Sequence, residues 1–261
     1  MYILITSWFF FLIIKHLFFW RGSYYQNTGT NNIEFHAHRG YKCGCPENTL
    51  EAYKFAVLNN FEWVELDVVS TKDNVIICSH NHDLECETNG TGYINKLTYN
   101  QVKSLYTGIY DDKNSMHPIP KLKDVIEEVG DQIGLNIEIK FFNIFDLKTA
   151  RALGKLLTSY NKKKIILSSF NPLIIAYFKI FYRTFKTGFL FQNLEYLWII
   201  RLIHPDYIHP RADILNKNMV NVAKEHNIGI NVWTADNFPV IKHLKTVDIN
   251  GIISDLKDKH D

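Results

Sequence analysis

Cysteine is scarce: Cys43, Cys45, Cys78 and Cys86 are the four in 261 residues. They are too few for a disulfide framework and lack the paired CxxC spacing of a zinc site. They read as small buried or loop residues, with a redox influence conceivable only at Cys43 and Cys45. Glycine (13) and proline (7) are also few, which excludes a linker-like or low-complexity chain. Charge of either sign is not in excess, since 29 Lys and Arg face 27 Asp and Glu for a net +2. No Lys or Arg run is long enough to trace a phosphate backbone, so nucleic acid is not an expected partner. Apolar material is plentiful, at 46% hydrophobic and 14% aromatic, and supports one large globular domain.

The N-terminus differs in kind from the rest. Met1 to Ile14 carries no charged side chain, Lys15 and His16 interrupt the run, and Leu17 to Trp20 resumes it before Arg21. A stretch of roughly 20 residues matches a bilayer core, Tyr2, Trp8 and Trp20 suit interfacial positions, and Lys15 would snorkel. A cleaved signal peptide, which would make the protein secreted, lacks its basic start and small-residue cleavage site here. Residues 1–21 are therefore read as an uncleaved membrane anchor, ahead of a third reading as an extension lying on the domain. The charge asymmetry is too slight to orient the segment across a membrane. Residues 22–32, polar and rich in Gly and Asn, read as a linker, and residues 33–261 as the catalytic domain.

Within that domain short apolar runs alternate with helix-period segments, the pattern of βα units and a parallel sheet. Strand candidates are Ile33–His38, Trp63–Val69, Val75–Ser79, Gly134–Lys140, Lys164–Ser168, Thr187–Phe191, Tyr207–His209 and Gly229–Trp233. Eight is the count of a (β/α)8 TIM barrel. A ninth, Gly251–Ser254, requires either that one of the others is not a barrel strand or that the barrel closes with an extra segment. The interval from Leu84 to Lys123 has no clear βα unit and reads as an insertion after the third strand, placed over the barrel mouth. Asn48 or Thr49 can cap a helix over Leu50–Asn59, and Asn171 with Pro172 can start one over Leu173–Tyr182. The aromatic- and Ile-rich stretch from Leu173 to Ile203, with interspersed Lys and Arg, reads as barrel helices first and as a membrane-facing surface second.

Charged residues gather at the ends of these strands. Glu65 and Asp67 are two apart on one strand and share a face, as do Glu138 and Lys140. Three acids in one pocket would raise one another's pKa, whereas a hard divalent cation such as Mg²⁺ or Ca²⁺ takes oxygen ligands and leaves them ionised. His38 and His80 also end strands, and two imidazoles beside such a site suit acid-base work at a phosphodiester. Arg39 and Lys140 would hold nonbridging phosphate oxygens. His36 and His82 read as structural, although His82 shares the parity of His80.

The strings HRG (38–40), PENTLEAY, ELDVVSTKD, the His80 region with TNGTG, NIEIK, SSFNP, NVWTADN and GIISD together resemble the glycerophosphodiester phosphodiesterase family, a branch of the phosphatidylinositol-phospholipase-C-like barrels. The resemblance runs from about Phe35 to Asp255. It implies a TIM barrel that hydrolyses glycerophosphodiesters to an alcohol and glycerol 3-phosphate. It further implies Glu65, Asp67 and Glu138 as metal ligands and His38 and His80 as the acid-base pair. Arg39 and Lys140 would touch phosphate, Glu47 would support the first loop, and Trp233 would line the glycerol side. Spacing to Asn89-Gly90-Thr91-Gly92 selects His80 over His82. His38 is read as the base and His80 as the acid, in roles that could be exchanged. The chain departs from the family at Asn81, where an Asp is usual, and at the Tyr41-Lys-Cys-Gly-Cys loop.

Three alternatives remain. An N-terminal anchor is compatible with a lysophospholipase D acting on membrane lysophospholipids. Asn81 is compatible with a tethered domain that binds head groups without turnover. His36-Ala-His38 resembles an amidohydrolase HxH, but no His lies between His117 and His204 to complete that metal set.

Overall fold

The computed structural model describes residues 2–24, 33–42, 44–108, 116–160 and 164–257. A helix α1 (Tyr2–Phe18) precedes the barrel. The staves are β1 (Glu34–Ala37), β2 (Trp63–Ser70), β3 (Gly134–Ile139), β4 (Ile165–Ser169), β5 (Lys186–Phe191), β6 (Tyr207–Pro210), β7 (Gly229–Val232) and β8 (Gly251–Ser254). Each pairs in parallel with the next, and β1 pairs with both β2 and β8 to close the ring. The outer helices are α2 (Leu50–Leu58), α3 (Leu122–Val129), α4 (Lys148–Leu157), α5 (Pro172–Phe181), α6 (Ile200–Ile203), α7 (Lys217–His226) and α8 (Phe238–Leu244). The fold is a (β/α)8 TIM barrel.

The ninth strand candidate resolves at Val75–Ser79. Ile76–Cys78 pairs antiparallel with the end of β2, Ser70 opposite Ile76 and Val68 opposite Cys78. Between them Thr71 to Asn74 forms a tight turn, with the Thr71 amide donating to Val75 O at 2.9 Å and Asn74 at φ 64°. A connection this short cannot cross over to a parallel neighbour. Apolar content alone does not tell the two directions apart, so Gly251–Ser254 is the eighth stave. The insertion that follows Cys78 lies, in barrel terms, between the second and third staves. Leu84, Ile94, Val102 and Ile119 pack there on Val69 and Ile77 as a small second core at the mouth.

Strand β2 is buried along its whole length, as a stave covered on both sides must be. Val64, Leu66 and Val68 face outward into the main core under the helices. Trp63, Glu65 and Asp67 therefore face the barrel axis. At the foot of the axis Trp63 stacks on His36, with ring centroids 5.3 Å apart. His36 is thus a core residue below the site.

The helix starts follow the expected caps. Thr49 Oγ1 accepts from Ala52 N at 3.2 Å, and Asn171 Oδ1 accepts from Leu173 N at 2.9 Å. Gly40 sits at φ 86°, and a Cβ there would lie 2.6 Å from Ala52 Cβ. The first loop can touch α2 this closely only with glycine.

Among the described residues no helix is long and apolar enough to cross a membrane, and α1 has 17 residues. Its base is fixed to the foot of the barrel. Trp20 is buried between His204 and His226, stacked at 4.5 and 4.3 Å. Gly22 N donates to His226 O at 2.8 Å and Ser23 Oγ to Asp206 at 2.8 Å. The first residues of the expected linker are therefore bound to the barrel, and residues 25–32 lie outside the described residues. Cys78 and Cys86 are free thiols, and Cys43 lies outside the described residues.

Candidate active site

Every stave delivers its last residues to one end of the barrel, and the predicted residues converge there. Glu65 and Asp67 come from β2, Glu138 from β3 with Lys140 just beyond it, His38 and Arg39 from the turn after β1, His80 from beyond the hairpin and Trp233 from the end of β7. His38, Arg39, Glu65, His80, Glu138, Lys140 and Trp233 line one cleft of about 160 Å³. A larger groove of about 400 Å³, between Asn74 and α4, contains none of the predicted residues.

Glu65, Asp67 and Glu138 are buried, and each offers an oxygen within 4.8 Å of the others. Their compensation is uneven. Asp67 receives Lys140 Nζ at 2.8 Å and Asn48 Nδ2 at 3.0 Å, and is ion-paired with Arg39, whose Nε lies 3.3 Å away without a hydrogen bond. Burial opposes its ionisation, but Lys140 and Arg39 outweigh that and hold its pKa down at about 2. Glu138 shares Lys140, at 2.5 Å. Glu65 accepts the Arg39 backbone N–H at 2.9 Å. Burial first, and the Asp67 charge second, push Glu65 up to about 8, and burial also raises Glu138. Three buried carboxylates thus share two cations, and all three are oxygen donors. That set fits a hard divalent ion.

The loop after β1 is held by the same charges. Arg39 adopts a left-handed conformation at φ 56°, and its Nη1 lies 2.6 Å from Glu47 Oε1. Glu47 is therefore a brace for Arg39 and for Lys42, whose Nζ is 3.6 Å away. Asn48, also left-handed at φ 54°, uses its Oδ1 to accept from Asp67 N and from Tyr53 Oη, at 3.1 and 3.0 Å.

The two histidines differ in their surroundings. His38 Nδ1 lies 2.9 Å from Asp255 Oδ1, and Asp255 is itself paired with Lys42 at 2.8 Å. Burial works against the imidazolium, but the Asp255 bond and the Glu65 charge prevail, and the His38 pKa is raised. His80 is pushed down to about 4 by burial and then by Lys140. Its Nδ1 faces Glu87 Oε1 at 3.9 Å, and Asn81 Nδ2 donates to that same oxygen. Glu87 is raised to about 7 by burial and by Glu47. His82 turns away to Phe141 O at 3.0 Å and packs on Phe142, so the spacing choice of His80 agrees with the cleft. Trp233 donates from Nε1 to His209 O at 2.7 Å and meets Phe170 edge-on, which fixes an aromatic wall opposite the charges.

Four residues of this site were not singled out from sequence: Lys42, Asn48, Glu87 and Asp255. Asp255 follows β8 directly and obeys the same strand-end rule as Glu138 and His38. Lys42 and Glu87 lie in irregular loops, where no periodicity marks them.

The model of the glycerophosphoryl diester phosphodiesterase family matches residues 38–259. A glycerophosphodiester phosphodiesterase of Caldanaerobacter subterraneus is 32% identical over 224 residues, covering 84% of this chain and 92% of that protein. Among solved structures, a phosphodiesterase of Oleispira antarctica in complex with its product sn-glycerol 3-phosphate superposes with a TM-score of 0.79 at 23% identity. The match covers 85% of this chain and 92% of the other. A glycerophosphodiester phosphodiesterase of Thermotoga maritima superposes with a TM-score of 0.70 at 26% identity, covering 86% and 95%.

Proposed function

Since this chain belongs to the glycerophosphoryl diester phosphodiesterase family, we propose that its cleft hydrolyses glycerophosphodiesters to an alcohol and glycerol 3-phosphate with two histidines and a divalent ion. The observation that carries this reading is the convergence of His38, His80, Glu65 and Glu138 on one cleft at the ends of the staves, with Asp67 buried beside the two glutamates.

Glu65, Asp67 and Glu138 would hold the ion, with Mg²⁺ and Ca²⁺ both suited to an all-oxygen set. When bound it supplies Lewis acidity at the phosphoryl oxygen. Arg39 and Lys140 add fixed positive charge where charge develops on phosphorus. The glycerol moiety would lie against Trp233. His38 and His80 divide the proton transfers, and their surroundings favour the exchanged assignment. His80, with a depressed pKa, is neutral near pH 7 and able to accept a proton from the nucleophile. His38, with a raised pKa and Asp255 on its far nitrogen, keeps a proton to give to the departing alkoxide.

This division gives a pH prediction. A general acid stops working as pH rises through its pKa, so the raised pKa of His38 sets the alkaline limb. Asp255→Asn removes the partner that raises it, and the alkaline limb of kcat/KM should move to lower pH while the acid limb stays in place. An unmoved alkaline limb would remove His38 from the acid role.

The reaction itself is tested by following glycerophosphocholine by phosphorus NMR. Appearance of glycerol 3-phosphate is expected, whereas phosphocholine would mean cleavage on the wrong side of phosphorus and overturn the proposed reaction. Binding without either product would favour the head-group-binding reading. Lysophosphatidylcholine, assayed in parallel, separates the lysophospholipase D alternative. Residues 1–21 remain our proposed membrane attachment, supported by the exposure of Trp8 to Ile14 along α1.

A further inference from the structure

We propose that one flank of the barrel's foot, formed by the base of α1 and the outer faces of α5 and α6, rests on an anionic lipid surface, so that the catalytic mouth opens away from that surface. This goes beyond the proposed reaction and does not depend on it.

α1 packs on α6 and α6 packs on α5, so the three elements form one continuous face. His16 Nε2 lies 3.2 Å from Leu202 O, His204 Nε2 lies 2.9 Å from His16 O, and the Arg201 guanidinium sits 4.8 Å over the Phe18 ring. The C-terminal ends of α5 and α6 come just before β5 and β6 begin, which places them at the end of the barrel opposite the mouth. Large apolar side chains are exposed on this face: Phe18 at 52%, Ile180 at 58%, Phe181 at 67% and Leu202 at 47%. Apolar surface of this extent points to a partner.

Charge identifies the partner's chemistry. Met1 to Ile33 contains Lys15 and Arg21 and no Asp or Glu. From Pro172 to Pro205 there are Lys179, Arg183, Lys186 and Arg201 against a single acid, Glu195, which follows β5 and lies toward the mouth. Asp206, next in the chain, is buried and paired with Lys179 at 3.0 Å, so this pair cancels. Arg183, Lys186 and Arg201, with Lys15 and Arg21, carry the net charge of the flank. The chain as a whole carries only +2, so basic charge is concentrated on this flank. On the α2 and α3 flank, by contrast, lysines alternate with acids, as in the Lys54 to Glu128 and Lys123 to Glu127 pairs. Basic side chains around exposed aromatics suit the head-group layer of an anionic bilayer. The mouth also exposes Phe145, at 81%, beside Asp146, Lys148 and Arg151, and amide exchange at Phe141–Phe145 tells the two faces apart.

The test is amide hydrogen exchange on the full chain bound to phosphatidylcholine vesicles with and without phosphatidylglycerol. Phosphatidylglycerol should slow exchange over Ile180–Lys186 and Ile200–His204 and leave Phe141–Phe145 unchanged. The double variant Phe181→Ser, Arg183→Glu should abolish that difference and weaken partitioning to the anionic vesicles at least roughly five-fold. Its hydrolysis of water-soluble glycerophosphocholine should be unchanged. Three results would overturn the proposal: no difference between the two vesicle types, slowing at Phe141–Phe145 instead, or concentration-dependent slowing of the same flank without vesicles, which would mean a second copy covers it.

Discussion

Glu65→Gln is expected to lower hydrolysis of glycerophosphocholine on the order of 10³-fold and to abolish divalent-ion binding together with it. Glu65 is the sharpest probe of the carboxylate site because the Arg39 backbone amide donates to it, and glutamine can still accept that bond. The variant removes a charge and little else. A second, opposite effect should accompany the loss. Metal-free Glu65 is raised from 4.5 to about 8 by burial and by Asp67. A carboxyl whose folded pKa lies above its unfolded value contributes no penalty below about pH 4.5 and progressively destabilises the fold as pH climbs toward 8. At neutral pH the metal-free variant should therefore melt above the metal-free wild type. Lost activity with gained apo-stability is the signature of a residue kept for function against the interest of the fold. Unchanged ion affinity in an active Glu65→Gln enzyme would remove this carboxyl from the metal set.

The second large effect separates two histidines that sit two residues apart. His80→Ala should lose about 10²- to 10⁴-fold in kcat, the range for a positioned acid or base. His82→Ala should lose little in comparison. His82 is engaged with Phe141 O and the Phe142 ring, so its removal loosens the loop after β3 and leaves the proton transfers intact. Rates for the two variants, with thermal melts to confirm folding, decide the matter. Loss at His82 with retention at His80 would reverse the assignment.

The parts of the site legible in sequence were those fixed by strand periodicity. Glu65, Asp67 and Glu138 lie on staves with a period of two, and Lys140 just beyond one, so a side chain's parity gives its face; Glu65, Glu138 and Lys140 line the cleft and Asp67 is buried beside them. His38 follows the end of β1 directly, and the same rule places Asp255, whereas His80 stands two residues past the end of the hairpin arm Ile76–Cys78, which is not a stave. Strand direction was the blind spot of this reading. Val75–Ser79 has the apolar content of a stave, and only the tight Thr71 to Asn74 turn, visible as backbone geometry, makes it a hairpin arm. Loop contributions were harder still. The departure from the family at Asn81 reads in sequence as a lost carboxylate beside the histidine. In the fold, Glu87 reaches back to stand opposite His80, with Asn81 donating to it. No spacing rule links residues 80 and 87 through an irregular loop. The N-terminal segment shows a similar limit: its hydrophobicity was plain, while the stacking of Trp20 between two histidines far along the chain was not.

The measurement that bears most directly on the central claim is release of glycerol 3-phosphate from glycerophosphocholine by the full chain, first in EDTA and then after addition of Mg²⁺ or Ca²⁺. Abolition by the chelator and recovery with one of the two ions is the predicted result. Turnover at the same rate in EDTA would contradict the claim, because Glu65, Asp67 and Glu138 would then be holding no ion that the reaction needs.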